Sequence, residues 1–289
     1  MNDIPGSGGP REDAPDTADR RRRFAEAARD ERPDLALLCL LVGAEADPEL
    51  DEAGMDAAQM ELDRLAGLLP YAPAGPAGWA EAVGRVLGRE CGFHGTPAEY
   101  RRLESSLLHR VLERRRGLPI LLSVVWMEVA RRAGAPVHGV ALPGHFVVGF
   151  GDPYGEDVLV DPFDGGRVLS TADAARLVGG ATGAPLDPAL LVPAGPLEIM
   201  LRILNNIRAW AAPRPERSAV QLWAIELSLL LPSHPARLRL ERAQLLVRRG
   251  EFALGARELE EYADVVAAVE PETAETVRRQ ARAARALLN

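Results

Sequence analysis

Between Gly117 and Gly134 lies a segment, Pro119 to Ala133, that is apolar on nearly every side as far as Ala130: Ile120, Leu121, Leu122, Val124, Val125, Trp126, Met127 and Val129 leave it almost no polar stripe. A helix that is apolar all round has to be buried all round, so the fold must wrap this element. Its punctuation agrees. Gly117 offers a cheap left-handed cap for a preceding helix, Pro119 suits a first helical turn, and Gly134 marks the end. The most apolar stretch, Leu118 to Met127, is interrupted by Pro119 and Ser123. It falls short of the roughly 20 residues a membrane span needs, so a core helix of a soluble protein is expected.

A chain of 289 residues can surround such a helix with one sizeable domain and a smaller one. From Phe24 to Arg116 apolar residues recur mostly at helical spacing, broken by Pro33, Pro48 and Pro70 to Gly78, which predicts a helical N-terminal layer. Its last helix is expected over Pro97 to Arg116, ending at Gly117. After Gly134 the pattern changes to short β-rich runs, Val137 to Leu142, His145 to Phe150 and Asp157 to Val160, with a hairpin at Gly151 to Glu156. Helices return after Pro162, among them Pro196 to Trp210. Beyond a linker at Pro213 to Glu216, four amphipathic segments read as helical hairpins: Ala219 to Leu231, Pro235 to Arg249, Glu251 to Val269 and Glu272 to Leu288. They resemble tetratricopeptide repeats, with a plain helical bundle as the alternative. The predicted division is a disordered tail over 1–23, the main domain over 24–212 and the helical region over 213–289.

Composition narrows the function. With 34 basic against 42 acidic residues and a net charge of −8, neither nucleic acid nor an anionic membrane is an expected partner. All the basic side chains are arginine, so the chain cannot supply its own lysine amine to an acyl-transfer site. The N-terminal stretch, rich in Gly, Pro, Asp and Arg, lacks the apolar core of a secretory signal. Two unpaired-looking cysteines, Cys39 and Cys91, fit a reducing compartment, and a cytoplasmic location is expected. Cys91 with His94 is half of a metal site at best, with no second pair of ligands nearby. No metal or cofactor is expected. His109, His138 and His234 read as structural or exposed.

The hairpin brings one pair together. If Gly149 faces Asp157, the register puts His145 opposite Asp161, close enough for a carboxylate to fix an imidazole tautomer, whereas a slip by one residue would separate them. A structural His and Asp at strand ends is the competing reading. Around them stand Arg-Arg-Gly-Leu-Pro-Ile-Leu-Leu-Ser at Arg115 to Ser123, Leu-Pro-Gly-His-Phe at Leu142 to Phe146 and Asp-Pro-Phe-Asp-Gly-Gly at Asp161 to Gly166. Gly-Phe-His-Gly within Glu90 to Tyr100, and Met200 to Asn206, belong to the same pattern. Together these resemble the bacterial SirB-like family of transglutaminase-like proteins with a tetratricopeptide-like tail, over about two-thirds of the chain. Ser105 departs from the family's pattern, which favours asparagine there.

The resemblance implies an α+β fold with a papain-like core, the Pro119 helix packing on a small antiparallel sheet. Active relatives begin this helix with a cysteine, whose thiol is acidified by the helix N-terminus and an imidazole that an acid orients. Aligned from Gly134, the nucleophile's place falls on Pro119, leaving His145 and Asp161 as the remainder of a vestigial triad. A non-catalytic protein that binds a protein or peptide is therefore expected. The alternative is an acyl-transfer or peptide-hydrolysing enzyme using Cys91 or Ser123, although Ser123 is expected to lie one turn inside the buried helix.

Overall fold

The computed structural model describes residues 15–288. Its first element, α1 (Pro15–Ala28), already departs from the expected disordered tail. The part of that prediction covering residues 1–14 lies outside the described residues, but 15–23 belong to a helix. Its arginines are matched to neighbouring carboxylates: Arg21 to Glu45 at 2.6 Å and Arg23 to Glu52 at 2.7 Å, while Phe24 and Ala28 enter the core. An Arg-rich segment reads as disordered only while its acidic partners are unseen.

Three more helices complete the N-terminal layer: α2 (Leu35–Ala46), α3 (Glu52–Ala66) and α4 (Gly75–Val83), the last running on into a π-helical turn, Gly84–Glu90. Asp34 and Asp51 cap α2 and α3 by accepting from the backbone N–H groups of Leu37 and Gly54, both at 2.9 Å.

The single helix expected over Pro97 to Arg116 is instead two short 3-10 turns, Pro97–Arg101 and Leu103–Ser106, followed by α5 (Leu108–Arg114). The break lets the chain fold back on a buried polar cluster. Ser105 donates its hydroxyl to Glu99 at 2.6 Å, and Arg114 donates to the same carboxylate oxygen at 2.8 Å. The left-handed cap is also displaced, since α5 ends on Arg115 with φ 57° rather than on Gly117. Arg115 is held there by a 2.6 Å ion pair to Glu61 and by stacking 4.6 Å over the Phe93 ring. Gly117 is needed for closeness, because a Cβ there would stand 2.7 Å from Val111.

The apolar segment forms α6 (Pro119–Arg132), buried from Pro119 to Ala130 as its composition requires. Then come β1 (Val137–Val140), β2 (Val147–Gly151), β3 (Asp157–Asp161) and an unforeseen two-residue β4 (Arg167–Val168). They make an antiparallel sheet in sequence order, with α6 packed on β1 and β2. After α7 (Thr171–Thr182) and α8 (Pro196–Ala211), the tail consists of α9 (Ser218–Leu230), α10 (Arg237–Arg248), α11 (Phe252–Val266) and α12 (Pro271–Ala286). Each packs on the next.

The linker at 213–216 does not separate two cores. Trp223, Ala224, Leu227 and Leu231 of α9 and its end are buried in the same cluster as α2, α6 and α8, whereas Ala243, Leu259, Val277 and their neighbours form a second cluster among α10–α12. No helix among the described residues is long and apolar enough to cross a membrane.

Candidate functional site

Three features converge where α6 begins. Leu118 is the N-cap, in extended conformation, and its N–H donates to the Ser105 carbonyl at 2.9 Å, so the Glu99–Ser105–Arg114 cluster sets the position of the helix start. Pro119 occupies the first helical position, where a residue has no N–H to satisfy within the helix. Pro119 and Ile120 face a cavity of about 600 Å³, and His145 lines the same cavity.

His145 sits in the turn before β2, not within the strand. Gly144 takes φ 71°, and the His145 N–H donates to the Leu142 carbonyl at 3.2 Å. Its Nε2 lies 3.0 Å from both oxygens of Asp161, whose carboxylate also accepts from the Phe163 N–H at 2.9 Å. Asp161 is buried, so its charge meets the ring in a poorly hydrated place. The proton position on the ring follows from this contact. With Nε2 on a carboxylate, that nitrogen carries the hydrogen and Nδ1 is left as the basic one.

The expected pairing of the two residues is present, but by a different register. Gly149 faces Leu159, and Asp157 faces Gly151, so the hairpin is shifted by two residues. An even shift keeps side chains on the same face. His145 therefore reaches Asp161 from the turn beyond the strand end rather than from directly across.

Aromatic side chains fix the ring. Phe163 meets His145 edge-on with centroids 6.0 Å apart, and Tyr100 meets Phe163 at 6.1 Å. Gly95 explains its place in Gly-Phe-His-Gly, because a Cβ there would fall 1.9 Å from the Phe163 ring. The Asp-Gly-Gly turn is of the same kind. Gly165 and Gly166 take φ 61° and 85°, and a Cβ on Gly88 of the π-helical turn would stand 1.9 Å from the Gly165 carbonyl oxygen.

The alternative nucleophiles fare differently. Ser123 is fully buried and gives its hydroxyl to the Phe146 carbonyl at 3.3 Å. Cys91 is half-buried at the end of the π-helical turn, packed against the main core, and does not line the cavity. Cys39 lies inside α2, where burial pushes its thiol well above the usual range. Among the described residues no three His, Cys, Asp or Glu side chains gather as metal ligands, and His94 turns its Nδ1 to the Gly92 carbonyl. His109 and His138 lie apart from the cavity, and burial lowers the pKa of each.

Sequence reasoning missed Arg202. From α8 it donates to the carbonyls of Leu142 and His145, both at 2.5 Å, and stacks 5.6 Å over Phe146, so it clamps the turn that carries the histidine. Burial lowers its pKa from the usual arginine value. The signal was available, since Arg202 lies inside Met200 to Asn206, which belonged to the family pattern.

Residues 52–205 match the Transglutaminase-like superfamily, just over half the chain, and residues 207–289 match the Tetratricopeptide repeat. A UPF0162 protein of Xylella fastidiosa is 34% identical over 242 residues, covering 81% of this chain and 84% of the relative. A UPF0162 protein of Pseudomonas aeruginosa is 34% identical over 66% of this chain and 69% of its own length. The human F-box only protein 21 is 26% identical over 61% of this chain, but over only 28% of its own length.

Proposed function

The chain belongs to the transglutaminase-like superfamily, and from that premise we propose that it is a non-catalytic member, a cytoplasmic protein whose cleft and tetratricopeptide-repeat tail bind a protein or peptide without turning it over. The observation that carries this is Pro119 at the first position of α6, facing the same cavity as His145. Acyl transfer through a thioester needs a sulfur at that point, and proline has no nucleophilic atom. His145 and Asp161 keep the geometry of an oriented base, and among the described residues no cysteine or serine lines the cavity that His145 faces. Neither Ser123, spent on the Phe146 carbonyl inside the helix, nor Cys91, outside the cavity, supports the enzymatic alternative. What the site retains is shape: a cleft walled by α6, the His145 turn and α8, and closed at one side by Pro235, Arg237 and Leu238 of the tail.

The test is a turnover assay of purified full-length protein with glutamine-containing peptides, an amine acceptor, and peptide esters and amides. No transamidation, deamidation or hydrolysis above background is expected. Turnover abolished by His145→Ala would overturn the proposal. Sensitivity to Cys91→Ser or Ser123→Ala would identify the group responsible.

A further inference from the structure

The cleft in front of Pro119 does not end at the histidine. A second cavity of about 260 Å³, lined by Arg102, Leu118, Trp210 and Arg214 among others, adjoins the first, and Tyr100 and Asn206 line both. Together they follow one face of α8 and cross the start of α6. The residues of α8 concerned, from Glu198 through Leu201, Arg202, Asn205, Asn206 and Arg208 to Ala209 and Trp210, recur at helical spacing. From Glu198 to Trp210 the rise of 1.5 Å per residue gives a groove of about 18 Å. An extended chain at about 3.3 Å per residue fills that length with five or six residues.

The charge along this groove runs against that of the molecule. The chain as a whole is at −8. The charged residues lining the two cavities are five arginines, Arg102, Arg202, Arg208, Arg214 and Arg237, against one carboxylate, Glu198 at the end of the run. The N-terminal end of α6, with its partial positive charge, opens on the same space. Arg208 is 8% exposed. It spends one terminal nitrogen on Glu241 at 2.7 Å and the other on Asn205 at 2.6 Å, yet its buried Nε–H has no partner among the described residues. Buried donors are almost always satisfied, so Arg208 keeps its charge beside the cavity with an incomplete set of acceptors. Between the cavities Tyr100 is 52% exposed, a large ring with a polar tip of the kind enriched where proteins bind peptides.

We propose that this arginine-lined groove, at the seam between the transglutaminase-like domain and the repeat tail, is the binding site for an extended acidic peptide segment of five or six residues, whose Asp or Glu carboxylates lie among Arg202, Arg208, Arg214 and Arg237. This rests on the reading of the protein as a peptide binder and adds the ligand's chemistry and its path. Length separates it from a small anion, which would occupy only one end. The lining also carries apolar residues, among them Pro119, Ile120, Pro143 and Leu238, so the arginines are what favour an acidic over an apolar peptide, and the comparison of glutamate with glutamine below tests that.

The experiment uses full-length protein and fluorescently labelled hexapeptide pools, each with two central positions fixed as glutamate, glutamine or lysine and the rest varied. Fluorescence anisotropy is read at two salt concentrations, with glutarate as a competitor. Glutamate pools are expected to bind at least tenfold more tightly than glutamine pools, and to lose most of that preference at high salt. Arg214→Glu with Arg237→Glu should remove the preference. Arg237 is exposed, with a long 3.9 Å pairing to Glu241, and the Arg214 side chain donates to the Trp210 carbonyl and stacks on its ring at the end of α8, so the pair should leave thermal stability close to wild type. Equal binding of glutamate and glutamine pools would overturn the acidic-segment proposal while leaving peptide binding intact. Glutarate competing at the hexapeptide's own affinity would overturn the extended path. Binding of no pool at all would overturn both this inference and the reading it rests on.

Discussion

The proposed lack of catalysis rests on Pro119 at the start of α6, and one substitution tests it. In Pro119→Cys the thiol would stand at the first position of α6, where the helix end contributes partial positive charge, in the cavity that His145 lines. Both favour thiolate, so the pKa is expected below the ordinary value of about 8.5. The mutant should fold, because the missing proline N–H was never part of the helix ladder. Iodoacetamide labelling against pH, in a Cys39→Ser, Cys91→Ser background with His145→Ala as control, measures it. An ordinary titration indifferent to the histidine would show that Pro119 is not the vacated nucleophile position. At this scale much was legible. The pair His145 and Asp161 could be found because strand parity survives an error of two residues. The register itself could not, because Gly151 at φ 112° extends β2 past the point where a glycine reads as a turn. Arg202 lay in a stretch that the family pattern marked, but its role as a clamp was not legible, because its partners are backbone carbonyls, which carry no sequence signature.

Among the elements, the joint between α5 and α6 illustrates what local pattern misses. A helix over Pro97 to Arg116 was the natural reading of the spacing, yet the chain breaks twice to bury Glu99 with Ser105 and Arg114. Tertiary hydrogen bonds outweighed periodicity. The same joint has a pH signature. Glu61 of α3 is bound by Arg64 and by Arg115, and these two guanidinium groups bring its pKa down from 4.5 to about 2. A carboxylate depressed on folding stabilises the folded state above its unfolded pKa and loses that contribution as pH falls toward the folded value. Urea midpoints of the wild type should therefore drop between about pH 4.5 and pH 2 more steeply than those of Glu61→Gln. Parallel curves for the two proteins over that window would refute the assignment.

The tail's helices were legible in the sequence because proline and glycine fall between its amphipathic segments, and all four appear within a few residues of their expected ends. Which core each helix joins was not legible, since an apolar stripe does not name its partner. A boundary at 213 cuts through the main core, because α9 buries Trp223, Leu227 and Leu231 with it. At about 1.5–3 kcal/mol for each large apolar side chain, the loss is comparable with the whole stability of a domain, about 5–15 kcal/mol. A chain ending at Ala212 is expected to lose its cooperative urea transition and to bind a hydrophobic dye, whereas one ending at His234 keeps a cooperative transition. Two equally cooperative truncations would show that α9 is dispensable to the main domain.

Helix α8 stands with one side in the core shared with α9 and the other along the groove, and it carries the arginine that clamps the His145 turn. Two surfaces joined by one rigid body are subject to reciprocity. Any molecule that seats on the outer helices and favours one setting of α8 must change the groove's affinity by the same factor by which the groove's ligand changes its own.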